Sequence, residues 1–370
     1  MIKLVGIIIK MIHIFIVLLY LSACFTPFLP AGKFWIFAVI GLVFPFLFVL
    51  VSIFFVGCLI GGSKWYLLSL FALICSFQQL SVVFGLNLKK DFNLSKQNNT
   101  LRVLDWNVSC WGESNKSKAP INNYAGLISN LFQNQQADVL CFQEFWDTKY
   151  GNSRYSTIDA LKKIGYPYSF FVKTVRDGKN YNSGVAIVSK YPIIDSAKFI
   201  YSDKGSAEHL IYADIIFNKQ RVRIITTHLQ SVNFQETEYA AIGKIKSRDE
   251  AGLKDSKNII RKLKYAYHHR GGQADFVNQK IKESPYPVIM CGDFNDVPNS
   301  YTYFTIRDNL QDAFVKKGTG IGRTFQYLSP TLRIDYLFAD KKFKVQQYSR
   351  LVVPYSDHFP IIADFEMNTP

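Results

Sequence analysis

The segment Pro287–Pro298, PVIMCGDFNDVP, carries the strongest local signal in the sequence. Its apolar run Val288–Cys291 has no helical period, which is typical of a strand buried on both faces. Gly292 leaves the backbone free to turn. Asp293 and Asn295 follow, on the same side of the chain if it stays extended. Alone, the segment suits a plain turn as well as a functional site. The residues at the other strand ends must distinguish these two interpretations.

Polar side chains recur at the other predicted strand boundaries. Any one of these groups would usually be solvated or would make a structural hydrogen bond. Their joint occurrence in one part of the chain indicates a site instead. The groups are Asp105-Trp106-Asn107, Gln143-Glu144, Thr227-His228-Leu229, Asp293 with Asn295, Arg333-Ile334-Asp335-Tyr336 and Ser356-Asp357-His358.

The composition divides the chain into an apolar head and a basic body. Residues 1–88 contain four of the 43 basic residues and none of the 28 acidic ones, so residues 89–370 carry a net charge of +11. A basic body favours polyanionic partners such as nucleic acid. No concentrated basic and aromatic stripe marks a nucleic-acid groove, however.

The head predicts a membrane anchor, residues 1–88, with three transmembrane helices: Met11–Phe28, Phe34–Ile60 and Trp65–Phe84. Each is close to the roughly 20 apolar residues that cross a bilayer. The second is long enough to tilt or to kink at Pro45. A secretory signal peptide is the alternative for the first span, because its start is basic. Two more spans follow at once, and no clear small-residue cleavage site is visible.

The distribution of lysines sets the membrane topology only weakly. Lys3, Lys10 and Lys64 fall on one side, whereas Lys33 and Lys89-Lys90 fall on the other. A cytoplasmic N-terminus agrees with the basic start and with the loop that contains Lys64. We therefore expect a multi-pass protein of the cell (inner) membrane whose body is periplasmic or otherwise extracytoplasmic.

The body predicts a linker, residues 89–100, followed by one α/β domain, residues 101–370. Ile121–Phe132 places its apolar residues on one helical face. Residues 233–284 predict a long helical excursion interrupted at Gly271-Gly272, and His268-His269-Arg270 within it is interpreted as a solvated helix end rather than a metal site. Strands are predicted at Arg102–Val108, Ala137–Phe142, Ser183–Ser189, Arg221–Thr227, Val288–Cys291 and Ile334–Phe338.

The residue types at the strand ends suit phosphoester hydrolysis. That reaction needs neutralised charge at the phosphoryl oxygens, an activated water and a stabilised leaving oxygen. A carboxylate such as Glu144 suits Mg²⁺, which prefers oxygen ligands. A histidine held by a carboxylate can be charged beside phosphate. Asp293 can accept and Asn295 can donate a hydrogen bond, so the pair can position a water.

The ordered series WN, QE, THL, GDFN, IDY and SDH resembles the endonuclease/exonuclease/phosphatase superfamily. The resemblance covers about Leu101–Phe365. It implies a four-layer α/β/β/α sandwich, two mixed sheets flanked by helices, and a hydrolase that depends on Mg²⁺ or Mn²⁺. Abasic-site enzymes of this superfamily carry an acid two residues after the asparagine of WN. Ser109 stands there in this chain, which argues against that subgroup.

The resemblance also implies the residues that hold the metal. Glu144 would be the main ligand, Asn107 would lie beside it, and Asp357 would contribute. All three belong to motifs of the series, namely QE, WN and SDH.

The catalytic roles implied by the resemblance fall on five residues. His358 would contact the scissile phosphate, and Asp335 would orient it. Asp293 would activate water, and Asn295 would hold phosphate or water. His228 would stabilise the phosphate from the other side.

Three functions are compatible with this sequence. The first is a membrane-anchored phosphodiesterase or endonuclease that acts on nucleic acid, which the net charge favours. The second is a phosphatase or phosphodiesterase that acts on phospholipids or lipid-linked phosphates, since the predicted spans would hold the site at the lipid bilayer. The third is an envelope protein with an inactive fold, which the complete motif series disfavours. Whether the substrate is a monoester or a diester stays open.

Overall fold

The computed structural model describes residues 2–88, 90–97, 99–112, 131–147, 156–176, 179–201, 209–234 and 250–368. Helices are α1 Ile2–Cys24, α2 Trp35–Leu42, α3 Phe44–Ile60, α4 Tyr66–Cys75, α5 Phe77–Val83, α6 Thr157–Lys163, α7 Glu250–Lys282, α8 Tyr301–Arg307 and α9 Ala313–Lys317. Strands are β1 Gly85–Leu86, β2 Thr100–Asn107, β3 Val139–Trp146, β4 Tyr168–Arg176, β5 Lys179–Ser189, β6 Ile193–Phe199, β7 Leu210–Phe217, β8 Gln220–His228, β9 Val288–Asp293, β10 Gln311–Asp312, β11 Thr319–Gly320, β12 Asp335–Ala339, β13 Phe343–Arg350 and β14 Ile361–Met367.

Two six-stranded mixed sheets form the centre of the basic body. Their strand orders are β13-β14-β2-β3-β5-β4 and β10-β12-β9-β8-β7-β6. In each sheet one central pair is parallel, β2 with β3 and β8 with β9, and the named neighbours are antiparallel. Two mixed sheets flanked by helices are the architecture that the motif series implies.

The main core lies between the two sheets. Val103 and Val139 of one sheet pack with Ile224 and Ile289 of the other in one buried cluster. A strand in this position is covered on both faces, which explains why Val288–Cys291 is continuously apolar rather than alternating. The predicted strands are confirmed at these positions, with ends that differ by at most four residues.

Helices α1–α5 form what we call the apolar bundle. Within the described residues, Lys3–Phe28 is long and apolar enough to cross a membrane as a straight helix. The pairs α2 with α3 and α4 with α5 pass the same test only if each is taken as one bent span, with bends of 64° and 63°. The first bend falls at Val43, and Pro45 occupies the first turn of α3, close to the predicted kink. The described residues thus contain one clear span, or up to three if each bent pair is one span, and three transmembrane helices stay a prediction.

The apolar bundle packs directly on the sheet sandwich. Tyr20 and Phe44 of the bundle share a buried cluster with Phe294 and Phe338 of the sandwich. The short strand β1 pairs antiparallel with β11. In the segment predicted as a linker, the backbone N–H of Asn93 donates to Gln347 Oε1 at 2.9 Å. These contacts tie the described part of that segment to the domain.

The long excursion before β9 differs from its predicted form. Helix α7 runs without a break through Gly271-Gly272. A side chain at Gly271 would place its Cβ 3.2 Å from the backbone N of Gly32, so glycine permits close contact with the bundle instead of ending the helix. The interpretation of His268-His269-Arg270 as a solvated helix end is wrong for Arg270, which is buried. The predicted helix Ile121–Phe132 lies outside the described residues except for Leu131 and Phe132, which are helical.

Candidate active site

The parallel strand pairs bring polar side chains to one edge of the sandwich. The parallel pairing of β2 with β3 ends where Asn107 is in register with Gln143. Strands β8 and β9 end together, and His228 pairs with Asp293. Because the carboxyl ends of parallel strands meet at the same edge, residues far apart in sequence converge there. Strand β12 runs antiparallel to β9, so its first residue, Asp335, lies opposite Asp293.

Glu144 reaches this edge through an irregularity in β3. The β3–β5 register shifts between Phe142 and Phe145, and Glu144 has a φ of 48°. Such a bulge re-aims a side chain that regular alternation would direct elsewhere. The Glu144 side chain is 34 % exposed, whereas Asn107, His228 and Asp293 are buried. Glu144 is therefore the carboxylate of this group that water reaches most easily.

One carboxylate oxygen, Asp293 Oδ2, lies at the centre of the group. Asn107 Nδ2 donates to it at 3.0 Å and also lies 3.4 Å from Glu144 Oε1. His228 Nε2 lies 3.6 Å and His358 Nε2 lies 3.7 Å from the same Asp293 oxygen. Burial and then the charge of Asp335 raise the pKa of Asp293, while both histidines and Asn107 favour its ionised form. A raised pKa suits a carboxylate that must accept a proton.

Asp335 and His358 form a buried pair. His358 Nδ1 lies 3.0 Å from both carboxylate oxygens of Asp335, which leaves Nε2 facing the centre of the site. Burial alone would lower the pKa of His358, but the charges of Asp335 and Asp293 and the Asp335 hydrogen bond raise it well above its ordinary value. The raised pKa favours the charged imidazole, which suits contact with phosphate.

Asn295 lies just beyond β9 in a left-handed backbone conformation, with a φ of 53°. Its backbone N–H donates to Asp293 Oδ1 at 2.8 Å, and its Nδ2 donates to the carbonyl oxygen of Leu229 at 3.1 Å. The two short side chains of the GDFN motif are therefore linked, as in an Asx turn. The functional and turn interpretations of this motif are compatible, since one geometry serves both.

The structure adds supporting residues whose roles sequence reasoning missed. Ser356 Oγ donates to the carbonyl of Asn107 at 2.7 Å and accepts from the backbone N–H of His358 at 3.1 Å. Trp106 Nε1 donates to the carbonyl of His358 at 2.9 Å. These bonds fix the loop of His358 against the end of β2. Trp106 belongs to the WN motif and Ser356 to the SDH motif, and these motifs are the sequence signal that could have identified both residues.

A buried polar group lies beneath the site. Gln143 Nε2 donates to Asp105 Oδ1 at 2.8 Å and to Thr226 Oγ1 at 2.9 Å. Burial, followed by Cys291 and by the charge of Asp335, raises the pKa of Asp105 well above its ordinary value. A neutral Asp105 between the sheets avoids the cost of an unpaired buried charge.

The donor set fits a divalent cation. Asp293, Asp335 and His358 are buried, and one ligand atom of each lies within 4.8 Å of the others, close enough to hold a metal ion. Both oxygens of Asp335 face His358 Nδ1, however, so this pair also serves as a hydrogen-bonded unit. Asp357 is not part of this cluster, and its Oδ1 lies 3.3 Å from Ser356 Oγ.

Comparisons with known proteins agree with this geometry. A family model described as Endonuclease/Exonuclease/phosphatase family matches residues 92–358, and a model described as a domain of unknown function matches residues 6–83. Sphingomyelinase C of Bacillus cereus is 27 % identical over 336 residues, which cover 78 % of this chain and 95 % of that protein. Sphingomyelinase C of Leptospira interrogans is 26 % identical over 211 residues, which cover 52 % of this chain and 32 % of that protein.

Solved structures share the fold. The human Nocturnin catalytic domain with bound sulfate has a TM-score of 0.51 at 19 % identity, with 73 % of this chain and 94 % of that chain covered. An endonuclease/exonuclease/phosphatase family protein from Leptotrichia buccalis has a TM-score of 0.50 at 19 % identity, with 72 % and 100 % covered. Because one family model spans most of the chain and the motif residues converge at one edge of the sandwich, the chain belongs to the endonuclease/exonuclease/phosphatase family and is a phosphoester hydrolase.

Proposed function

We propose that this protein is a membrane-anchored, metal-dependent phosphodiesterase that cleaves a phospholipid in the headgroup region of the bilayer. The observation that carries the proposal is a contact between the apolar bundle and the loop that follows β9. Asn299 Nδ2 donates to the carbonyl of Ala23, at the end of α1, at 3.0 Å. The sphingomyelinase C relatives, named for a lipid substrate, support the same substrate class.

The contact limits how far the site can lie from the membrane. Asn299 is four residues from Asn295, and four extended residues span at most ~14 Å. A second contact comes from Arg333, whose Nη2 donates to the carbonyl of Val82 at 2.7 Å. The catalytic domain is thus held at a set height above the ends of the bundle. A site so placed reaches headgroups at the membrane surface.

The apolar bundle would serve as the membrane anchor. Helix α1 crosses the bilayer, and the two bent helix pairs complete three spans. A cytoplasmic N-terminus agrees with the basic start and with the loop that contains Lys64, and three crossings would then put the catalytic domain on the other side of the cell membrane. A reporter fused after Pro370 that is active only after export tests this topology. Signal from a cytoplasm-only reporter would reverse it.

Glu144 and Asn107, with Asp357 contributing, would hold Mg²⁺ or Mn²⁺. The exposed side of Glu144 leaves room for the waters that Mg²⁺ keeps. The bound cation supplies positive charge to the phosphoryl oxygens. An oxygen-rich group at Glu144 suits these ions better than a group that includes the imidazole of His358.

The remaining residues would divide the chemistry of hydrolysis. Asp293 Oδ2 takes a proton from the attacking water. The raised pKa of Asp293 lies closer to the pH at which the enzyme works, so the carboxylate accepts a proton more readily. His358, charged and held by Asp335, neutralises a phosphoryl oxygen through Nε2–H. His228 faces the same centre from β8 and stabilises the phosphate from the other side. Asn295 holds phosphate or water at the end of β9.

The test uses the full chain in detergent and then in vesicles. Vesicles of phosphatidylcholine and sphingomyelin are compared with double-stranded DNA, RNA and p-nitrophenyl phosphate, with His358→Ala as the inactive control. We expect release of the phosphorylated headgroup, dependent on Mg²⁺ or Mn²⁺ and lost in His358→Ala. Metal-dependent cleavage of DNA or RNA with intact lipids would instead support the nucleic-acid function that the net charge favours. Turnover of the monoester alone would identify a phosphatase.

A further inference from the structure

Arg270 is an arginine buried inside the long helix α7. The residue is 1 % exposed, and its guanidinium lies 4.3 Å from the ring centre of Tyr267, one turn earlier. A buried guanidinium requires partners. Its Nη1 donates to the carbonyl oxygen of Asn295 and lies 3.6 Å from Asp296 Oδ2. Arg270 therefore contacts the backbone of the GDFN motif from outside the two sheets.

The bonded carbonyl belongs to a residue in an uncommon backbone conformation. With a φ of 53°, Asn295 needs surrounding restraints to stay there. Asp293 holds its N–H and the Leu229 carbonyl holds its side chain. Arg270 donates to its carbonyl, so the backbone N–H, the backbone carbonyl and the side-chain Nδ2 of Asn295 all have partners. The contact from Arg270 is the restraint that α7 supplies.

A second side chain of α7 reaches the neighbouring strand end. Gln273 lies three residues after Arg270, on the same helical face. Its Oε1 accepts from the backbone N–H of Gln230 at 2.9 Å. Gln230 follows His228 by two residues, at the end of β8. One face of α7 thus contacts the segment just after β8, next to His228, and the segment just after β9 that contains Asn295.

The apolar bundle supports the same turn of α7. Gly271 packs so closely on the Ala31-Gly32 turn that an added Cβ would lie 3.2 Å from the backbone N of Gly32. His268 Nδ1 lies 3.3 Å from the Gly32 carbonyl. The helix is therefore fixed on one side by the bundle, while Arg270 and Gln273 extend to the site.

We propose that Arg270 is a positioning residue for hydrolysis, and that it acts through its hydrogen bond to the Asn295 carbonyl. The bond sets where the Asn295 side chain stands beside Asp293. Gln273 does the same for the backbone after His228. Arg270 touches no reacting atom in this role. Its loss displaces Asn295, and displacements of about 1 Å lower turnover on the order of 100-fold.

The test is a double-mutant cycle between Arg270 and Asn295 in the full chain in detergent, with bis-p-nitrophenyl phosphate as the probe. Arg270→Lys keeps the charge beside Asp296 but lacks the planar fork of the guanidinium. Asn295→Gly removes the side chain and tolerates the positive φ. The matched control is Arg102→Lys, since Arg102 is equally buried and pairs with Asp364 at 2.6 Å, near the opposite end of β2.

We expect Arg270→Lys to lower kcat on the order of 10- to 100-fold with little change in KM. In the Asn295→Gly background the same change should cost nothing further, because the group it positions is gone. Arg102→Lys should lower the melting temperature and leave kcat unchanged. Losses that multiply in the double variant, or an Arg270→Lys kcat equal to wild type, would overturn the inference.

A second variant covers the case in which Arg270→Lys does not fold. Arg270→Met combined with Asp296→Asn removes the carbonyl donor without leaving an unpaired buried charge. Hydrogen exchange of the segment 293–300 then supplies a readout besides activity. We expect faster exchange there and a lowered kcat. Unchanged exchange together with unchanged kcat would show that α7 does not position the loop.

Discussion

His358 Nδ1 lies 3.0 Å from each carboxylate oxygen of Asp335, in the buried floor of the site. Neighbouring residues on an extended chain point apart, so Asp357 could not have oriented the ring of His358. Asp335 comes instead from the start of β12, where its register partner is Asp293. The register of β12 with β9 therefore places Asp335, the positioning carboxylate, beside Asp293, the candidate base.

We expect Asp335→Asn to lower kcat on the order of 100-fold or more, the scale of a positioned acid–base group. The amide cannot stabilise a charged imidazole as a carboxylate does. Steady-state kinetics on a diester probe measure the loss. Asp340→Asn, just after the end of the same strand, is the control and should retain activity. Equal kcat in wild type and Asp335→Asn would exclude the pair from the mechanism.

Glu144→Gln should remove metal-dependent activity with little effect on the fold, because it deletes a charge on a partly exposed side chain. Thermal unfolding with and without Mn²⁺ gives an independent measure. The wild type should be stabilised by the ion and the variant should not. Glu283→Gln, an exposed change just after the end of α7, is the control. Undiminished hydrolysis in excess chelator would contradict the metal requirement.

Gly41→Val should loosen the bundle from the catalytic domain. A Cβ at Gly41 would lie 2.8 Å from the Asn299 carbonyl oxygen, so the backbone there must move. Gly57→Val is the matched control in the same bundle, since a Cβ at Gly57 meets no atom within 4 Å. We expect faster hydrogen exchange at 297–300 for the first variant only. Equal exchange in both would mean that this contact does not hold the bundle.

The stability of the protein should depend on the ionisation of Asp105. Its folded pKa is raised by burial, so the carboxyl contributes stability at low pH that is lost as the pH rises toward that folded pKa. Asp105→Asn, an uncharged substitute of the same shape, should lack this loss. The expectation is tested by melting temperatures measured in chelator from about pH 5 to about pH 9. Parallel pH profiles for both proteins would refute it.

Several elements were predictable because their cause is local. The apolar run Val288–Cys291, the polar end of β8 at His228 and the kink near Pro45 follow from burial, alternation and proline geometry. Strands β4, β6, β7, β13 and β14 and the two-residue strands β1, β10 and β11 were not predicted. Residues of β6 and β13 are mostly partly exposed, and their mixed sequences give a weak period-two signal.

Glycine misled the prediction of α7. Gly271-Gly272 would weaken an isolated helix by about 1 kcal/mol per residue relative to alanine. In the folded chain, Gly271 is where the helix touches the Ala31-Gly32 turn, and that packing outweighs the propensity. Arg270 was wrongly assigned to a solvated helix end because its partner is remote in sequence. Its partners lie on a loop 25 residues further along the chain, at Asn295.

By itself the sequence determined which side chains could do chemistry and which strands they follow, because strand burial and turn chemistry depend on neighbours along the chain. The tertiary structure decided which of them meet. The register of β8, β9 and β12 brings His228, Asp293 and Asp335 together, and the bundle and α7 hold the loop after β9. These contacts join segments remote in sequence, and only packing of the two sheets and the helices fixes their distances.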